Sequence, residues 1–282
     1  MWSPLTWFLI LSALLEAAVC DILVSNVIST NTTRLHVVFV YTIAISKCHL
    51  GLPEYITVAL EQAVEQEPDC DIVLLSNYAE CPQISVLADK VTHLIKIDIN
   101  DTMSVKTERY MKLSREIFLL DNPLWLASAL RFFYLEDFMT KYACRELIHI
   151  EADNMIYGRM TGLVDALRKD YVGIAATPLT SRKTFITASI FWVANLKSLC
   201  DFNNYLLDLG AGDGDQWSNY LLYMKKRGYA DKRRHAIRNN KLGGVGPGYV
   251  NEMSMLGFYK VKRSTSCLGR SNINASILIS SK

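Results

Sequence analysis

Half of the 282 residues are hydrophobic and 21% are charged, a balance that excludes a disordered chain, a collagen and a coiled-coil rod. Thirty Lys and Arg against 28 Asp and Glu leave a formal net charge of +2, so no basic excess points to nucleic acid as a partner. A chain of this length forms one large α/β domain or two small ones, and no self-similar period marks a repeat array.

Residues 7–15 form an apolar run that is followed by small residues ending at Ala18, Val19 and Cys20. The run is shorter than the ~20 apolar residues a bilayer core requires, and Glu16 interrupts it, so residues 1–20 read as a secretory signal peptide. The six later cysteines, Cys48, Cys70, Cys81, Cys144, Cys200 and Cys267, allow disulfides in an oxidising lumen or remain in part as buried thiols, and their pairing is open. None forms a CxxC zinc pair. Sequons at Asn31, Asn100 and Asn274 agree with export, and no later segment is long and apolar enough to span a bilayer. The expected location is the lumen of the secretory pathway or the medium.

From Leu35 the pattern alternates strand and helix. Residues 35–41 are a short β-rich apolar run of the kind that is buried on both faces of a parallel sheet. Pro53 opens a helical stretch through Gln66 with apolar residues at Ile56, Ala59, Leu60, Ala63 and Val64. Residues 71–77 and 91–97 give the second and third strands. A helix over residues 124–142 then delivers the chain into a fourth strand at 147–150. Residues 171–176 and 185–193 are strand-like as well, and a glycine-rich loop follows at 241–248. This order predicts a Rossmann-like, mostly parallel sheet with helices on both faces, an α/β/α sandwich. Ligands of such sheets sit at the carboxyl ends of the strands, which singles out Tyr41, Thr42, Asn77 and the segment Glu151-Ala152-Asp153-Asn154.

Glu151 and Asp153, two residues apart past a buried strand, project carboxylates into a crevice where a divalent cation can hold them beside a diphosphate. Glu151-Ala152-Asp153 resembles the acidic D-x-D element of nucleotide-sugar glycosyltransferases of the GT-A fold, in an E-x-D form. The likeness extends to Arg131 on the helix before the motif and to the strand-helix unit at 190–199, and covers about residues 35–258. It implies a GT-A-like domain over residues 33–282, with a nucleotide-binding half at about 33–157 and an acceptor-side half at about 158–282. It further implies transfer of a sugar from a nucleotide-sugar donor to a glycan or glycoprotein hydroxyl. Glu151 and Asp153 would hold Mn²⁺ or Mg²⁺, while Tyr41, Thr42, Asn77, Arg131 and Asn154 would line the nucleotide side. Arg131 either pairs with a phosphate or covers a solvated helix face. His149, within an apolar strand, reads as a core histidine.

Residues 206–214, Leu-Leu-Asp-Leu-Gly-Ala-Gly-Asp-Gly, are similar to the glycine-rich loop of S-adenosylmethionine-dependent methyltransferases. That loop follows a first strand and is itself followed by most of its domain, whereas here only the last quarter of the chain remains, and residues 196–209 can continue as a helix. Residues 213–222 instead resemble the acidic D-Q element of GT-A enzymes, which makes Asp215, then Asp213, the candidate catalytic carboxylate, with an N-cap for the following helix as the alternative. Many metal-dependent members of that fold add a His near the C-terminus. Residues 264–282 contain none, and His235 lies in a basic Lys232-Arg233-Arg234-His235 cluster. An inactive, secreted carbohydrate-binding protein on the same fold is therefore the second expectation.

Overall fold

The structure is a computed structural model, and it describes residues 34–117, 123–178, 186–211, 255–257 and 259. In chain order it contains β1 (His36–Val40), a 3₁₀ turn (Ile45–Leu50), α1 (Glu54–Gln66), β2 (Asp71–Ser76), α2 (Pro82–Ala88), β3 (Ile95–Asp98) and a single helical turn (Ile99–Thr102). There follow α3 (Val105–Ile117), α4 (Pro123–Lys141), β4 (Leu147–Glu151), α5 (Met160–Asp170), β5 (Ile174–Pro178), β6 (Ile186–Val193) and α6 (Leu196–Ala211).

The six strands form one sheet in the order β3-β2-β1-β4-β6-β5. β1 pairs in parallel with β2 and with β4, and β2 with β3. β6 runs antiparallel to both β4 and β5, so the sheet is mostly parallel with one reversed strand between two parallel ones. The strand period of two divides the apolar residues between the faces. Val38, Val73, Leu75 and Leu147 pack under α3, α4 and α6, whereas Val37, Phe39, Ile72, Leu74, Ile148 and Ile150 pack under α1, α2 and α5. Burial on both faces is why these strands read as continuous apolar runs. Among the described residues, no helix is long and apolar enough to cross a membrane.

Two strands start later than expected, and β5 spans Ile174–Pro178 rather than residues 171–176. The third strand begins at Ile95 rather than Val91, because His93 adopts a left-handed φ of 64° and turns the chain just before it. The helix expected over residues 196–209 is present as α6, so residues 206–211 end a helix and no strand turns over a cofactor there, which agrees with setting the methyltransferase likeness aside. The cysteines are settled in part. Cys48 and Cys81 form a disulfide, Cys200 is disulfide-bonded, and Cys70 and Cys144 are buried free thiols that burial pushes up to about 12.

Candidate nucleotide and metal site

The chain goes outward from β1 to β2 and β3, then returns to place β4 on the other side of β1. The strand order therefore reverses between β1 and β4, and the crevice beyond their carboxyl ends is the expected ligand position of an open α/β sheet. Val40 and Glu151 are partners across this pair, so Tyr41 and Thr42 leave β1 beside Ala152 and Asp153 leaving β4. The structure thus brings the residues after these two strands to one edge.

Glu151 is the last residue of β4 and half-buried, while Asp153 is exposed two residues on. The turn between them is closed by Asn154 N–H, which donates to Glu151 O at 2.9 Å. Arg131, 6% exposed on α4, donates through Nε to Ser128 O at 2.7 Å and through Nη1 to Glu151 Oε1 at 2.5 Å. This settles the alternatives for Arg131 against a solvated helix face: its guanidinium is buried and turned to the end of β4. A buried cation with a rigid fork of donors is suited to anionic groups brought to this edge. His149, on the same face of β4, is a core histidine. Its Nδ1 lies 2.9 Å from Val38 O, and burial followed by the charge of Arg131 lowers its pKa to about 3.

The remaining candidates are spread along the same edge. Tyr41 continues the β1–β2 ladder, its N–H donating to Leu75 O at 3.0 Å and its carbonyl accepting from Ser76 Oγ at 2.6 Å. Its phenol is half-buried, and burial, followed by Tyr55, raises its pKa. Thr42 is half-buried beside it. Asn77 is 3% exposed and spends its amide on the Ile43 peptide and on Glu80. Asn154 Nδ2 donates to Ser189 O of β6 at 3.1 Å, which ties the turn after β4 to the reversed strand. Thr187 and Ser189, whose hydroxyls lie 2.6 Å apart on β6, were not singled out from the sequence. Their i, i+2 spacing was the available signal. Asp213, Asp215 and His235 lie outside the described residues.

Among the described residues, no three His, Cys, Asp or Glu side chains converge as a metal site. Glu151 and Asp153 stand as a pair. Two surface cavities of about 420 and 430 Å³ lie at the other end of the sheet, where both include Arg34, next to Asp69 and Asp165 in one and Glu67 and Asp71 in the other. Their arginines are already engaged: Arg34 donates to the carbonyls of Pro68, Asp69 and Cys70, and Arg168 pairs with Glu146 and Asp165. The site at the carboxyl edge is thus defined by the strand ends and the residues that follow them.

No protein-family model matches the sequence, and no curated protein matches it. Solved structures do. The chain is similar to mouse xyloside xylosyltransferase 1 in its apo form, with 11% identity over 82% of this chain and 83% of that one, at a TM-score of 0.49. It is similar to the PaToxG glycosyltransferase at 9% identity, covering 65% of this chain and 64% of that one, at a TM-score of 0.45. Core-mannan synthase A from Aspergillus fumigatus, in an Mn/GDP form, matches at 6% identity over 65% of this chain and 66% of that one, at a TM-score of 0.35. With TM-scores below 0.5, the functional reading rests on this chain's own residues.

Proposed function

We propose that the protein is a nucleotide-sugar-dependent glycosyltransferase of the GT-A type that works in the lumen of the secretory pathway or after secretion. The observation that carries this reading is Glu151 and Asp153 at the carboxyl end of β4, beside the reversal of strand order, with the buried Arg131 held against Glu151. Two carboxylates at a strand mouth fit a small hard cation, which keeps several waters and is completed by substrate phosphates rather than by an all-protein cage. Glu151 and Asp153 would hold Mn²⁺ or Mg²⁺. Such an ion supplies charge neutralisation on the leaving diphosphate.

The chain's own groups supply the rest. Arg131 adds a fixed positive charge at the same edge, where it favours an anionic leaving group without reorganising. Tyr41 and Thr42 offer a phenol and a hydroxyl to the nucleoside, and Asn154 fixes the turn that carries Asp153. Asp215, with Asp213 second, is the proposed carboxylate on the acceptor side, acting as a base or holding donor hydroxyls. The acceptor is a glycan or glycoprotein hydroxyl.

Titration calorimetry with nucleotide sugars, with and without Mn²⁺, tests the reading. Asp153→Asn should abolish Mn²⁺-dependent donor binding at nearly unchanged stability, because the side chain is exposed. Retained affinity in a folded variant removes the E-x-D assignment. Asp215→Asn should lower turnover by about two orders of magnitude with little effect on donor binding. A silent result would leave it a helix cap, since Asn caps about as well as Asp. Donor binding without any release of nucleoside diphosphate in Mn²⁺ would favour the carbohydrate-binding alternative.

A further inference from the structure

The crevice side of β1 ends in a loop that is held from two directions. The last backbone rung between β1 and β2 runs from Tyr41 N–H to Leu75 O at 3.0 Å. The next rung would use the carbonyl of Asn77, but that carbonyl accepts from Cys81 N–H at 3.0 Å as the chain turns into α2. The Asn77 side chain takes its place. Oδ1 accepts from Ile43 N–H at 3.2 Å and Nδ2 donates to Ile43 O at 2.9 Å, so one amide grips both polar groups of the Ile43 residue. Nδ2 also donates to Glu80 Oε2 at 3.0 Å, which uses its second hydrogen. A buried Asn with its donors so occupied has none left for a ligand.

The far end of the same loop is fixed covalently. Cys48, in the 3₁₀ turn, is bonded to Cys81, with Cα atoms 5.0 Å apart. Both links therefore end on the short segment 77–81, and between them runs the loop that starts with Tyr41 and Thr42. Holding such a loop before a ligand arrives removes the ordering cost from binding.

We propose that Asn77 and the Cys48–Cys81 disulfide act as one clamp that presents residues 41–44 to the nucleotide, which makes Asn77 a positioning residue instead of a ligand-touching one. The inference rests on the glycosyltransferase reading of this edge. It deepens that reading by assigning nucleotide affinity to a clamp outside the contact surface.

The test compares wild type, Asn77→Ala, the Cys48→Ser/Cys81→Ser double variant, and the combination of all three. Two measurements are made on each: amide hydrogen exchange over residues 41–47, and Kd for UDP, GDP and CDP in Mn²⁺. Exchange in the loop should rise at least tenfold in Asn77→Ala, and Kd for the best nucleoside diphosphate should rise about tenfold. The cysteine variant should move both in the same direction. Removing all three groups should weaken binding by less than the product of the separate effects, as expected for groups that work as a unit. In turnover the change should fall on the donor KM. An unchanged loop, or a loosened loop with unchanged Kd, overturns the clamp even if the melting temperature drops, since that is what a merely structural role would give. If Asn77→Ala does not fold, the cysteine variant decides by the same two readouts. A wild type that binds none of the three nucleotides overturns both this inference and the function on which it rests, whereas loss confined to the variants concerns the clamp alone.

Discussion

His149 lies two residues before Glu151, on the face of β4 turned toward α4, and its side chain is fully enclosed. Nδ1 meets Val38 O, while Nε2 is buried without a partner. A neutral ring with its proton on Nδ1 satisfies that arrangement, and a second proton would sit in an apolar layer near Arg131. Burial and Arg131 therefore hold the pKa at about 3, against 6.5 for a free histidine. In the unfolded chain the ring takes its proton near pH 6.5, and in the folded chain it does so only near pH 3, so the unfolded state binds more protons in between. Stability is thus complete above pH 6.5 and falls as the pH drops, by up to about 1.4 kcal/mol per unit. Denaturant titrations of the metal-free protein at pH 7 and pH 5 should show wild type losing about 2 kcal/mol more than His149→Phe. Equal losses would mean that the ring is charged in the fold. Burial lowers the pKa of His36 too, a contribution of the same sign that the variant keeps, while the raised pKa values of Glu136 and Asp137 act in the opposite sense in both proteins.

Among the elements, β6 and its connections hold the β4-β6-β5 edge of the sheet together. Gly173, between α5 and β5, has φ of +108°, and its carbonyl accepts from Ala194 N–H at 2.7 Å where β6 hands over to α6. A Cβ at this position would lie 2.9 Å from Ser198 Oγ, which is itself bonded to Asn195. Gly173→Ala should cost about 1–3 kcal/mol in chemical denaturation, the scale of a residue forced into that backbone region. Adding Ser198→Ala removes the Oγ contact but leaves the Ser198 Cβ at 3.3 Å and the backbone penalty, so only part of the loss should return. Full recovery would show that the clash alone matters. The strands themselves were legible in sequence: β1, β2 and β4 fall within a residue of their expected ends, because burial on both faces leaves a continuous apolar run. The direction of β6 was not legible, since such a run looks the same whichever way the strand points. Helices α2, α3 and α5 went unread: α2 is only seven residues long, too short to show a helical period, and the apolar positions of α3, Val105–Ile117, are few and set among charges. At the proposed site, the place of Glu151 and Asp153 at the end of β4 could be read from position alone. The work of Asn77 could not, because its partner Ile43 is 34 residues away and is brought within reach only by the β1–β2 pairing.

At the scale of the whole molecule, the proposal of a lumenal protein can be checked on one side chain. The Cys48–Cys81 disulfide and the bonded Cys200 suit an oxidising compartment. Of the three sequons, only that at Asn100 lies among the described residues. Asn100 is exposed in the helical turn Ile99–Thr102, just past β3, with its backbone N–H held by Asp98 Oδ1 at 2.8 Å. Its side chain is exposed, as a glycan requires. Expression in a eukaryotic cell should therefore give a soluble product that begins near Asp21 and loses mass on glycosidase treatment. Asn100→Gln should remove one glycan's worth of that shift while leaving nucleotide affinity unchanged, because Asn100 lies beyond β3, two strands from the β1–β4 crevice. An unshifted Asn100→Gln product would show that this sequon is not used. Recovery only in membranes, with Met1 retained, would instead make the apolar segment at residues 7–15 part of an anchor.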